Sequence, residues 1–347
     1  MKKLPTSRNA FFESLQTTRL SSELVAHLTG QARPAIALAA IVCDDADIPV
    51  GASKMGGCPD LPATMVWPTR PAYPEEAGNA AEHRRKAISY LAETPSWMTL
   101  MDAKKFSATA LRQAEAAESE FPLSFFLQLD LKSLASIEGF PEGLPTTGRL
   151  LFFYDHFEEP AKFDPASKIG WRLVWDETPI GSLFRAMPPR ELVEISDKTW
   201  MAVFGGAKII AESVMTPIPW SDKLWDAFSF DDYASYQAYD RWLGQFGMPD
   251  DAGGNQHLLG GFPLPMQSGM QATAQLAANG IYCGRSDVYE LPEVVELLKA
   301  AREWQLLLQI GPEVALGMGD VGGMYVLIRE QDLLNRAFDR VWVIYDG

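Results

Sequence analysis

Two glutamines, each set inside an otherwise apolar run, are the side chains whose type and spacing most invite chemistry. Gln128 lies in Phe125-Phe126-Leu127-Gln128-Leu129-Asp130-Leu131, and Gln309 in Trp304-Gln305-Leu306-Leu307-Leu308-Gln309-Ile310. An amide inside an apolar strand must hydrogen-bond or forfeit about 1–3 kcal/mol. Either both amides face a shared cleft and grip one polar ligand, or each closes a sheet edge or holds the Gly-Gly turn of its own half. The carboxylates best placed to join them are Asp130, which follows the Gln128 strand, and Asp320, in the loop Gly317-Met318-Gly319-Asp320-Val321-Gly322-Gly323. Paired carboxylates can do acid–base work or, with His257, bind a metal. Asp before a Gly-rich turn is equally an Asx-turn former, and Asp130 can cap a helix over 132–137. His257 stands at the entrance to Gly260-Gly261. As a base it needs a nucleophile, and Ser53 or Cys58 would reach it only if two halves faced each other. Its other reading is a side chain that hydrogen-bonds a turn carbonyl.

Other motifs carry less. The Gly317–Gly323 loop lacks P-loop spacing and leads into a strand, so no helix N-terminus would aim at a phosphate. No Gly-x-Ser-x-Gly elbow is present. His156, beside Asp155, closes the Phe152 strand and reads as an exposed turn. Four histidines and the three cysteines Cys43, Cys58 and Cys283 offer no ligand or disulfide spacing. Neither a metal nor a cofactor is expected, and a reducing, cytoplasmic setting is the default.

The elements that must position these residues come in two similar sets. Gly56-Gly57-Cys58-Pro59, the Gln128 strand and Gly148-Arg149-Leu150-Leu151-Phe152-Phe153 are followed in the same order by Gly260-Gly261-Phe262-Pro263, the Gln309 strand and Gly322-Gly323-Met324-Tyr325-Val326. This order predicts an internal duplication: an α+β fold of two pseudo-symmetric halves, with antiparallel or mixed sheets and peripheral helices. Residues 1–33 read as a helical segment. Residues 34–180 form the first half, with a helical insert over 70–121 that decorates the surface or acts as a lid. Residues 181–256 link the halves and carry Tyr233, Tyr236, Tyr239 and Trp242 as a helical aromatic stripe, and 257–347 form the second half.

Composition narrows the function classes. A net charge of -15, from 45 acidic and 30 basic residues, argues against nucleic-acid binding. The short basic run His83-Arg84-Arg85-Lys86 reads as a solvated helix face. The longest apolar run, Ala35 to Cys43, is about half a membrane span.

These blocks together resemble the YwqG-like bacterial proteins, a domain family of unknown function. The likeness runs from about Pro34 to Tyr345. It is carried by Ser53-Lys54-Met55-Gly56-Gly57 through Leu61-Pro62 and Trp67-Pro68, the Phe126 to Leu131 strand, and His257-Leu258-Leu259-Gly260 with Gln267. Trp304 to Ile310, Gly319-Asp320 through Arg329, Asp332-Leu333, Phe338, Val341 and Trp342 continue it. Met318 stands where the family pattern has Trp, and the 70–121 insert replaces a short link. The resemblance implies a soluble, duplicated α+β protein and supplies no catalytic residues. The resulting expectation is an intracellular binding protein that takes a small polar ligand or a basic protein partner in the groove between its two halves, engaged by Gln128, Asp130, His257, Gln309 and Asp320. The alternative is a hydrolase or lyase using His257 with Asp130 or Asp320.

Overall fold

The structure, a computed structural model, describes residues 2–74, 80–93, 96–196, 201–225, 232–246, 256–265, 269–319 and 322–346. Two short helices open the chain, α1 (Arg8–Gln16) and α2 (Ser22–Gln31). Ser7 and Ser21 cap them by accepting the Ala10 and Leu24 N–H groups. Then comes β1 (Arg33–Val42), followed by the short strands β2 (Lys54–Met55), β3 (Asp60–Pro62) and β4 (Thr69–Arg70). The insert is a helical hairpin, α3 (Ala80–Ala92) and α4 (Leu100–Ala117), and β5 (Phe121–Pro122) pairs with β4 to close its base.

β6 (Ser124–Asp130), α5 (Leu131–Leu134), β7 (Arg149–Tyr154) and β8 (Trp171–Asp176) complete the first run of long strands. β9 (Leu183–Arg185) pairs with β3, α6 (Arg190–Ile195) follows, and β10 (Ala207–Thr216) lies against β1 over ten residue pairs. α7 (Tyr233–Gly244) buries Tyr239 and Trp242 and leaves Tyr233 exposed, so its aromatic stripe is a packing face. The second run is β11 (His257–Leu259), α8 (Met270–Ala278), α9 (Pro292–Leu298), β12 (Trp304–Ile310), β13 (Gly323–Arg329), α10 (Glu330–Leu334) and β14 (Trp342–Asp346).

Ten strands form one antiparallel sheet in the order β14-β13-β12-β11-β1-β10-β2-β6-β7-β8. The class is α+β. The sheet curls until its two edges meet: the Trp171 indole on β8 donates to the Val341 carbonyl at 3.2 Å and packs edge-on against Trp342, centroids 5.1 Å apart. Near-closure covers edge strands that would otherwise present unpaired backbone. The main apolar core fills the enclosed side, with Trp242, Trp304, Trp342, Tyr325 and Phe152 among its largest members.

One arrangement departs from the expected partition. β1 lies next to β11, and β10 lies next to β2. Each of these long strands therefore completes the set from the other end of the chain. Periodicity announces that a strand exists but not which neighbour its backbone will meet.

Candidate functional site

The glutamines are placed by matched local frames. In each frame a Gly-Gly pair takes left-handed backbone, with φ of 60° and 68° at Gly56 and Gly57 and 74° and 76° at Gly260 and Gly261. A Cβ on Gly56 would lie 2.0 Å from the Gly205 carbonyl oxygen, so no side chain fits there. The Gly56 N–H donates to the Phe126 carbonyl at 2.8 Å, and the Gly260 N–H to the Leu307 carbonyl at 2.9 Å. Phe126 and Leu307 each sit at a bulge in the pairing to the next strand. A bulge leaves one residue out of the ladder, and here its carbonyl serves the turn.

Each amide then closes its own turn. Gln128 accepts the Asp60 N–H at 2.9 Å and donates to the Ala52 carbonyl at 2.9 Å and to Asp60 Oδ2 at 3.0 Å. Gln309 accepts the Leu264 N–H at 2.8 Å and donates to the Gln256 carbonyl at 3.1 Å. In both frames the partners lie four residues before and four after the first glycine.

His257 follows the same scheme. Its Nδ1 accepts the Gly311 N–H at 3.1 Å, as Ser53 Oγ accepts the Asp130 N–H at 2.8 Å. Accepting at Nδ1 puts the proton of the neutral ring on Nε2, which faces Glu313 Oε2 at 3.7 Å. The imidazole beside it holds the Glu313 carboxyl below the usual range. Asp130 caps α5 by accepting the Lys132 N–H at 3.2 Å. Three strands separate β6 from β11. Four steps of ~4.8 Å put Asp130 and His257 about 19 Å apart along the sheet. Gln128 and Gln309 are one strand farther apart again. Asp320 and Gln267 lie outside the described residues.

His257 opens onto a cleft of about 540 Å³ at the seam between β1 and β10. Small side chains of Ala37, Ala39 and Ala40 make its floor, Ile210 and Val214 a wall, and Gln256, His257, Glu212, Glu313 and the N-terminal Lys2 and Lys3 its polar groups. Lys3 Nζ and Glu212 Oε1 approach to 3.5 Å across it.

Two charged clusters have no counterpart in the sequence reading. Lys54 is fully buried: its Nζ bonds the Cys58 carbonyl and lies 3.4 Å from Asp45 and 3.5 Å from Asp60. Burial pulls the Lys54 pKa down, against the pull of both carboxylates. Burial by itself would raise Asp60, but the Gly51 N–H, Arg185, Gln128 and Lys54 together hold it below the usual range. Arg185 Nε reaches Asp60 Oδ1 at 3.0 Å from 125 residues away.

The second cluster ties down the helical insert. Arg70 is buried, donates from Nε to Asp155 Oδ2 at 2.5 Å and from Nη1 to the Ala116 and Ser119 carbonyls, and stacks on Tyr73. Burial raises the Asp155 pKa while Arg70 lowers it. Asp155 and His156 are buried, which corrects the expectation of an exposed turn: the insert and the segment around Phe204 cover them. Desolvation pushes the His156 pKa down to about 4. His83, read as part of a solvated face, is buried and bonded through Nε2 to Glu158 Oε2 at 2.9 Å. Its neighbours Arg84 and Arg85 stay at the surface, paired with Glu118 and Glu82. His83 pairs with Glu158 from 75 residues away, and no local pattern in the sequence reveals that pairing.

Among the described residues, no group of three or more His, Cys, Asp or Glu side chains is placed to hold a metal ion. Likewise no helix there is long and apolar enough to cross a membrane. The profile of a domain family of unknown function (DUF1963) matches residues 53–347, most of the chain, and the chain belongs to that family. No curated protein matches it.

Proposed function

We propose that this member of a family of unknown function is a binding protein, and that the cleft over the β1–β10 seam takes a small polar ligand. The observation that carries this reading is the cleft itself: about 540 Å³, floored by alanines, with polar groups at its ends. Apolar walls with a few convergent polar groups are the usual make-up of a small-molecule site. His257 contributes a fixed N–H donor, because Gly311 occupies its other nitrogen. Glu313 and Glu212 supply acceptors and Lys3 a cation, so a ligand carrying both hydroxyl or amine donors and an anionic or carbonyl acceptor suits it best. The backbone frames held by Gln128 and Gln309 support this reading as scaffold, since they set the strands that carry the cleft.

Native mass spectrometry of the gently purified protein tests the proposal. A reproducible small added mass, lost in Ala39→Trp, is the expected result; Ala39 is exposed on the floor, so the variant blocks the cleft without disturbing the core. A protein-sized mass would point instead to a basic partner drawn by the net charge of -15. A ligand retained by Ala39→Trp would place binding elsewhere.

A further inference from the structure

We propose that a second cleft, under the helical insert, binds a small organic cation with N–H donors, specifically a primary alkylammonium group and its apolar tail. This cleft, about 230 Å³, lies between α3, α4 and the turn after β7. At about 30 Å³ per water it has room for seven or eight waters, the size of a short alkylamine.

Its polar wall is made of acceptors. Glu158 is buried; one carboxylate oxygen is engaged by His83 Nε2, while Oε1, equally buried, has no hydrogen-bond partner. His83 Nδ1 is also without a hydrogen-bond partner. Both residues line the cleft. Orphaned buried acceptors are rare in folded proteins and call for a donor. An ammonium group offers three donors, enough to serve Glu158 Oε1 and the carboxylate of Glu159, which also lines the cleft.

Charge and shape agree with that choice. Asp155, next to this wall, is neutralised by Arg70, whereas Glu158 and Glu159 face the cleft with Lys86 as the cation opposing them from α3. Crowding by burial, Asp155 and Glu158 raises the Glu159 pKa to about 7, with Lys86 acting the other way. A bound cation relieves that crowding. Tyr90 and Phe106, centroids 5.5 Å apart, together with Phe157 form the apolar wall for the tail. The Gln113 side chain donates to the Phe157 carbonyl at 3.0 Å and holds that wall in place.

Calorimetric titration of the full chain with n-butylammonium, tetramethylammonium and n-butyrate tests the proposal. Saturable binding of butylammonium at least about ten-fold tighter than tetramethylammonium is expected, because the latter has charge but no N–H donor. Butyrate should not bind. Glu159→Gln, whose side chain is a third exposed, should fold normally and weaken butylammonium binding several-fold. Ala110→Leu, which fills the cleft from α4, should abolish it, while Ala39→Trp in the seam cleft should leave it intact. Absence of saturable butylammonium binding overturns the proposal, as does equal affinity for tetramethylammonium or indifference to both cleft variants in folded protein.

Discussion

The two Gly-Gly frames share a backbone and differ in what they bury. Lys54 stands opposite Gln128 in the strand pairing, and Leu258 stands opposite Gln309. Asp60 and Leu264 hold matching places, each giving its N–H to the amide. One frame therefore encloses an ionic cluster of Lys54, Asp60, Arg185 and Asp45, and the other a pair of leucines in contact with the main core. Tyr325 and Thr216 complete the apolar frame by bonding the Leu264 carbonyl and the Phe262 N–H. The lesson is that the glutamine, the glycines and the bulge hold the turn, whereas the side chains packed beneath it are free to differ. A buried ion pair adds little net stability over leucines of similar volume, but removing one member is costly.

The largest expected effect follows from that asymmetry. Asp60→Leu alone takes from Lys54 its fully buried partner, leaving Asp45 to be shared with Arg185, and should lower the unfolding free energy by about 3–5 kcal/mol in a urea titration. The double change Lys54→Leu with Asp60→Leu copies the other frame and should recover most of the loss, because Arg185 keeps Asp45. A double variant less stable than the single one would break the comparison.

Acid should separate the two regions next. The His156 pKa is depressed to about 4, so the folded protein binds this proton less readily than the unfolded chain, whose value is near 6.5. Its stabilising contribution is complete above pH 6.5 and is lost as pH falls toward 4, about 3 kcal/mol at 1.36 kcal/mol per unit. Strand pairing puts exposed Glu330 at the corresponding place in the other region. Hydrogen exchange at pH 5 should therefore rise first in β6 to β8. His156→Phe, set between Phe126 and Phe204, should suppress the difference.

Smaller effects test the equivalence of the frames. Gln128→Leu and Gln309→Leu each leave one buried N–H and one carbonyl unpaired and should cost about 1–3 kcal/mol apiece. Gln128→Leu should cost more, because Asp60 also loses a donor. Ser53→Ala, which removes the acceptor for the Asp130 N–H, should cost about 1 kcal/mol by thermal unfolding. A loss at Gln309 without one at Gln128 would show that the ionic cluster, not the amide, holds the first turn.

Much of the architecture was legible because it is written in local pattern. The Gln309 run, Trp304 to Ile310, is β12 residue for residue, and the helical insert expected over 70–121 holds α3 and α4. The need of Gln128 and Gln309 for partners was also legible, since an amide in an apolar strand cannot go unpaired. The clefts were not. Ala37, Ala39 and Ala40 read simply as part of a strand, and their role as a floor depends on β10 lying beside them.

The sequence by itself determined the elements: which segments are strands, where glycine forces the turns, and that the two glutamines must be satisfied nearby. These follow from steric and hydrogen-bonding rules that act over a few residues. Tertiary structure alone decided what those elements enclose. Lys54 meets Arg185 through Asp60, His83 meets Glu158, and β1 meets β11 across separations of 75 to more than 200 residues. Desolvation depends on everything that packs around a group, so the pairing of buried charges and the open space between elements exist only once the sheet has curled shut.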